Sequence, residues 1–272
     1  MSEWKNKTAL ITGASYGIGE SFARRLAADG AHLIITARSR ERLEVLANEL
    51  RARHRINITV IEADLAQSNA PEQIFNATES AGLQIDLLIN NAGFGLVGEF
   101  ATQPRAKLAE IIQVNITALT ELAHLYLQPM LQRKSGAIIN LASTASFQAV
   151  PYFAVYAATK SFILILSESL WAECSGTNVR VLALCPGPTA THFQTVAGTS
   201  QRRLPEKMQT AEQVVEAGLQ ALAQGRSHVV SGWNNRLMVT VERFVPRDVV
   251  TRIAGKLFRQ FSETDQRSKK SE

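Results

Sequence analysis

The stretch that decides the fold runs Thr8, Ala9, Leu10, Ile11, Thr12, Gly13, Ala14, Ser15, Tyr16, Gly17, Ile18, Gly19. Residues 8–12 are apolar and β-branched enough to read as a buried strand, and a helical pattern over 18–28 starts almost at once. Between them, glycines at 13, 17 and 19 allow a tight turn, let backbone approach a pyrophosphate, and bring the helix start close to the strand. A plain βα turn would also use glycine. The position after a first strand, at the positive end of a helix dipole, favours phosphate binding, with Ser15, Tyr16 and Ile18 completing the turn.

Working outward, strand-like runs recur at 32–36, 58–62, 87–90, 137–141, 179–185 and 227–230, and helical periodicity fills 40–53, 111–131, 155–174 and 210–224. Such alternation predicts an α/β fold, a doubly wound parallel seven-stranded sheet of Rossmann type with helices on both faces. Its ligands should lie beyond the carboxyl ends of the strands. No internal repeat or linker divides the chain, so residues 1–261 are expected to form a single catalytic domain. Its last part, 233–261, is a basic helical extension that Pro246 splits in two, and 262–272 is a disordered tail.

Composition narrows the class. With 46% hydrophobic and 19% charged residues over 272 positions, the chain is neither collagenous nor disordered. Cys174 and Cys185 lack metal-ligand spacing, and the five histidines form no i,i+4 pair, so no metal is expected. The N-terminus has no signal-peptide pattern and no segment is apolar enough to span a bilayer, which together predict a cytoplasmic protein. The net charge of +5 is local. Six basic residues in 233–261 (Arg236, Arg243, Arg247, Arg252, Lys256, Arg259) face two acidic ones, which argues against a nucleic-acid surface.

The end of the second strand selects a cofactor. An NAD site commonly has an acidic residue about twenty positions past the glycines, but Arg38 stands here, and a guanidinium suits the 2′-phosphate of NADP. Arg40 and Arg42 add positive field, with solvated pairing to Glu41 and Glu44 as the plainer reading.

Further on come Asn90-Asn91-Ala92-Gly93, then Ser143, then Tyr156 and Lys160 starting a helix thirteen residues after Ser143, then Pro186-Gly187. In this order these motifs resemble the short-chain dehydrogenase/reductase family, over residues 7 to about 230. The resemblance implies that Tyr156 exchanges a proton with the substrate oxygen, that Ser143 steadies that oxygen, that Lys160 tunes the phenol and holds the nicotinamide ribose, and that Asn115 supports a water linking Lys160 to solvent. Lys160 is one helical turn from Tyr156, and a nearby ammonium is expected to lower the phenol pKa. The resemblance also places Asp64, Leu65, Asn91, Ala92 and Gly93 along the cofactor, and Pro186, Gly187, Thr189 and Thr191 around the nicotinamide carboxamide.

The expectation is an NADP(H)-dependent oxidoreductase interconverting a carbonyl and a secondary alcohol; the alternative is a non-catalytic nucleotide-binding regulatory or scaffold protein. Phe147, Val150, Tyr152, Phe153 and Phe193 predict an apolar pocket for a 3-oxoacyl, steroid-like or other bulky ketone. His192 is a candidate for the pocket mouth, and Arg202 and Arg203 for an acidic head group. The apolar excess on the helix after Tyr156 (Phe162, Leu166, Trp171), together with the resemblance, predicts a homodimer or homotetramer. For the basic extension, packing over the pocket or on a subunit competes with peripheral contact to an anionic membrane.

Overall fold

The computed structural model describes residues 2–191, 193, 197 and 208–268. Seven parallel strands, β1 (Thr8–Thr12), β2 (His32–Ala37), β3 (Ile58–Glu62), β4 (Leu87–Asn90), β5 (Gly136–Leu141), β6 (Val179–Cys185) and β7 (His228–Val230), form one sheet in the order β3-β2-β1-β4-β5-β6-β7. The chain winds outward from β1 to β3, returns to β4 beside β1, and then winds the other way. This places the crevice at the carboxyl ends of β1 and β4.

The strands read as continuous apolar runs because both sheet faces are covered. Ala9, Ile11, Leu33 and Ile35 point to one face and pack on α1 (Gly17–Ala28), α2 (Arg40–His54) and α7 (Ala211–Ala223) through Phe22, Leu43, Leu46, Val214 and Leu222. Leu10, Ile34, Leu88 and Ile138 point the other way, onto α3 (Ala70–Asn76) and α5 (Leu119–Gln132) through Ile74, Leu122, Tyr126 and Met130. The helix α6 (Ala154–Glu173) packs Ile163 and Leu164 against Ala183 and Cys185 of β6.

Two differences from the sequence reading matter. The span 111–131 is not one α-helix: α4 (Arg105–Ile112) passes into a π-helical turn at Gln113–Ala118 before α5 resumes. Apolar periodicity cannot register one extra residue in a turn, and π-turns are often found at functional sites. The second difference is at the C-terminus, where α8 (Trp233–Glu242) and α9 (Arg247–Ser268) are separated by Pro246 as expected. However, the backbone of α9 stays helical to Ser268, past the boundary set at residue 261. Loss of an apolar stripe does not end a helix, because each added residue needs only its own backbone hydrogen bond. Among the described residues, no helix is long and apolar enough to cross a membrane.

Candidate active site

The glycine turn is built so closely that side chains are excluded. Gly13 adopts φ +66°, and a Cβ there would stand 2.9 Å from the Cα of Ala92; at Gly19 it would meet the carbonyl oxygen of Gly13 at 2.4 Å. Thr12 and Asn91 lock this turn to the end of β4. The Thr12 hydroxyl accepts from the N–H groups of Asn91 and Ala92, both at 3.0 Å, and the Asn91 amide donates to the carbonyls of Thr12 (2.8 Å) and Gly13 (3.1 Å). Asn91 therefore braces the turn with its side chain. At the start of α1 the N-cap residue, Tyr16, makes no side-chain cap hydrogen bond, which leaves the first turn's N–H groups facing the crevice.

Arg38 leaves β2 into the same crevice. Its side chain is 69% exposed, and its nearest carboxylate, Glu110 of α4, is 3.8 Å away, so the guanidinium can accept an anionic partner at little cost. Arg40 pairs loosely with Glu44 at 3.7 Å, the solvated role expected for it. Arg42 does more than the sequence suggested, since its guanidinium lies 4.0 Å above the centre of the Tyr16 ring. The spacing i, i+26 gives no hint of that contact. Asp64 accepts from the N–H of Ala66 at 3.1 Å, a turn role, while Asp64 and Leu65 also line the crevice beyond β3.

Beyond β5, Ser143 accepts from the N–H of Ala145 at 3.1 Å, and its own N–H donates to the Ser146 hydroxyl at 3.2 Å. Ser146 in turn donates to the Lys160 carbonyl at 2.8 Å. Ser146 thereby ties the Ser143 loop to the helix carrying Lys160. Tyr156 has its phenol in the neighbourhood of Ser143, stacks on Phe153 with ring centroids 4.3 Å apart, and lies 5.4 Å from the Phe193 ring.

Burial dominates the titration of both members of this pair. It pushes the Tyr156 phenol up to about 12, and the nearby Ser143 side chain pulls it down. The Lys160 ammonium donates to the Leu141 carbonyl at 2.6 Å and lies 5.7 Å from the tyrosine ring centre. Burial pulls Lys160 itself down to about 8.

Asn115 sits in the π-turn with no exposed surface. Its amide donates to the Phe94 carbonyl (2.9 Å) and to Thr159 (3.0 Å), and its oxygen accepts from the Phe94 N–H at 3.1 Å. The side chain thus grips the loop after Asn91 directly. A Cβ at Gly93 would lie 3.0 Å from the Asn115 oxygen and 3.4 Å from the Lys160 nitrogen, so glycine is what brings these groups together.

The segment after β6 closes the crevice. The Pro186 carbonyl accepts from Thr144 at 2.9 Å, Thr189 donates to the Gly187 carbonyl at 2.9 Å, and the Thr191 side chain would touch a Cβ at Gly17 at 3.0 Å. Gly187 packs on Asn235 of α8, where a Cβ would come within 2.3 Å of the amide nitrogen. His192, Arg202 and Arg203 lie outside the described residues.

These parts share one cavity of about 640 Å³, lined at one end by the glycine turn, Arg38 and Asp64 and at the other by Ser143, Tyr156 and Lys160. Gly19 and Asn115 stand behind its wall. The far end is apolar: Phe153, Phe193 and Phe258 line it, and Phe258 reaches in from α9 to stack 6.2 Å from Phe153. Packing over the pocket is one of the roles the sequence leaves open for the basic extension, and Phe258 is the residue that reaches it. Two observations fit an adenine dinucleotide here: a cradle that any Cβ would fill, and the buried hydroxyl of Thr36, unpartnered at the crevice wall. Among the described residues, no group of His, Cys, Asp and Glu could hold a metal.

Known proteins share this arrangement. Residues 7–202 match the model of the short chain dehydrogenase family. The chain is 29% identical to a ketoacyl reductase of Nostoc, covering 100% of this chain and 95% of that protein. It is 31% identical to a 7beta-hydroxysteroid dehydrogenase of Collinsella aerofaciens over 86% of this chain and 88% of the other. A short-chain dehydrogenase of Sphingobium yanoikuyae solved with NADPH superposes with a TM-score of 0.76 at 34% identity, covering 82% and 87% of the two chains. With its glycine turn, sheet order and buried tyrosine–lysine pair, this chain belongs to the short-chain dehydrogenase family of oxidoreductases.

Proposed function

We propose that the protein is an NADP(H)-dependent reductase of bulky, apolar ketones, working reversibly on the corresponding secondary alcohols. The observation that carries this reading is the continuity of one cavity from Arg38, through Ser143, Tyr156 and Lys160, to an apolar end lined by Phe153, Phe193, Ala197 and Phe258. Family membership leaves the choice of cofactor open, since solved relatives hold either NADPH or NAD. Arg38 favours NADP.

Bound at the glycine turn, the nicotinamide cofactor supplies hydride to the carbonyl carbon. The chain's own residues do the rest. Ser143 donates a hydrogen bond to the carbonyl oxygen as negative charge builds on it. Tyr156, protonated well above neutral pH, delivers the proton that turns this oxygen into a hydroxyl, and accepts it back in the reverse direction. Lys160 holds the ribose hydroxyls and lends positive charge to the site. Asn115 keeps the Phe94 loop and Thr159 in register around it. The apolar end excludes water and selects flat, apolar substrates, by analogy with the steroid and acyl chemistry named for the relatives.

The test is NADPH oxidation against a panel of steroid-like, 3-oxoacyl and small hydrophilic ketones. Turnover of the bulky apolar members is expected; turnover confined to small hydrophilic members overturns the substrate reading. For the cofactor, Arg38→Asp should weaken NADPH binding by roughly 1.5–3 kcal/mol, about ten- to a hundredfold, because a charge-assisted hydrogen bond becomes a repulsion. Equal NADPH and NADH affinities in the unaltered protein would refute the assignment.

The assembly follows from α6, which leaves Phe162 and Ile165 39% and 65% exposed on the side opposite its buried face. Covering this patch with a second copy gives a homodimer or homotetramer. Sedimentation at micromolar concentration should report a multiple of 29.8 kDa, and a single-chain mass would rule the assembly out.

A further inference from the structure

The two C-terminal helices expose rows of large apolar side chains. In α8, Trp233, Leu237 and Val241 recur at every fourth position and are 74%, 51% and 51% exposed. In α9, Val249, Ile253 and Leu257 repeat that spacing at 39%, 63% and 58%, and Phe244 between the helices is 85% exposed. Spacing by four puts each trio in one row along its helix. Neither row is the face that attaches its helix to the domain, because α8 buries Val239 and α9 buries Ala254 and sends Phe258 into the cavity.

Cations edge these rows. Arg252 and Lys256 stand one turn apart beside Ile253 and Leu257, and Arg236, Arg243 and Arg247 flank the α8 row and Phe244, all of them exposed. Residues 233–261 hold six basic and two acidic side chains, a net +4 of the chain's +5. A second copy brings the same positive charge and is repelled, and the centre of a protein–protein interface is usually poor in charge. Rows of large apolar and aromatic side chains bordered by Lys and Arg instead match a helix lying in the headgroup region of an anionic bilayer.

We propose that residues 233–259 dock the enzyme on the surface of an anionic lipid bilayer. The docking is peripheral, since no described helix can cross a membrane. Because α9 also forms part of the cavity wall through Phe258, the docked helix puts the apolar end of the active site about one helix diameter, roughly 10 Å, from lipid. An apolar substrate could then reach the cavity without first dissolving in water. The docking itself stands whether or not the proposed substrate class is right.

The test is flotation of the full chain with phosphatidylcholine vesicles, with and without roughly a third phosphatidylglycerol. The protein is expected to float with the anionic vesicles only and to be released at about 0.5 M salt, where screening shortens to a few ångströms. The double variants Ile253→Asp/Leu257→Asp and Arg252→Glu/Lys256→Glu should each bind at least about tenfold more weakly, with melting temperature and sedimentation mass unchanged. Absence of flotation, equal flotation with neutral vesicles, or undiminished binding by both variants overturns the proposal. So does a loss of oligomer mass in the Ile253→Asp/Leu257→Asp protein, which would make the row a subunit contact.

Discussion

Tyr156→Phe is expected to lower ketone turnover by about a hundred- to ten-thousandfold, the range that a positioned proton donor contributes, with little effect on folding or cofactor affinity. The ring is held by stacking on Phe153 and by the nearby Phe193, and phenylalanine keeps both contacts. Ser143 still accepts from the N–H of Ala145. Only the hydroxyl and its proton are deleted. Turnover at saturating substrate, measured beside NADPH affinity by fluorescence titration, separates these effects. Retention of most of the activity would remove Tyr156 from the mechanism, and a parallel collapse of affinity would make its role structural.

Lys160→Met should abolish most activity and at the same time stabilise the protein at neutral pH. The ammonium is buried, and burial draws its pKa from 10.5 down to about 8, which means that the folded state holds the charged form at a disadvantage. Below pH 8 both folded and unfolded chains carry the proton and the whole penalty is present. Between about 8 and 10.5 the unfolded chain binds more protons than the folded one, so stability rises with pH until the penalty is gone. The shift corresponds to roughly 3 kcal/mol, from which the loss of the hydrogen bond to Leu141 takes back about 1, leaving Lys160→Met about 2 kcal/mol more stable at pH 7. Other buried acids, Cys185 among them, also titrate in the alkaline range, so the quantity to follow is the difference between the two proteins in urea midpoints across pH 7 to about 10. A difference that does not change with pH would show that the lysine carries no burial penalty.

The strands were legible because buried parallel strands are written as unbroken apolar runs, and β1, β3, β4 and β6 begin and end where those runs do. The roles proposed for Ser143, Tyr156 and Lys160 come from the resemblance of their motifs, and only their closeness follows from the chain itself. Tyr156 and Lys160 share a helix, so their proximity follows from spacing alone, while Ser143 and the glycine turn follow strands whose carboxyl ends must converge. What escaped the sequence were contacts between distant segments. Examples are Arg42 over Tyr16, Glu110 beside Arg38, Phe258 against Phe153, and the Asn115 grip on Phe94. The balance of burial against charge at Tyr156 and Lys160 was out of reach as well, because it depends on how deeply the folded chain encloses them.

The π-turn at Gln113–Ala118 works as a phase shift between two helices that would otherwise be one. A single surplus residue in a helical turn rotates everything before it by roughly 100° relative to everything after it. Downstream, Leu119, Leu122 and Tyr126 settle into the core, and upstream Glu110 turns toward the crevice to meet Arg38 while Asn115, on the surplus turn itself, faces inward. Removing one residue between 113 and 118 would restore an unbroken α-helix and leave its second half anchored as before, but would swing Glu110 off the cofactor side. The length of this short segment, more than the identity of most residues in it, sets which carboxylate stands beside Arg38.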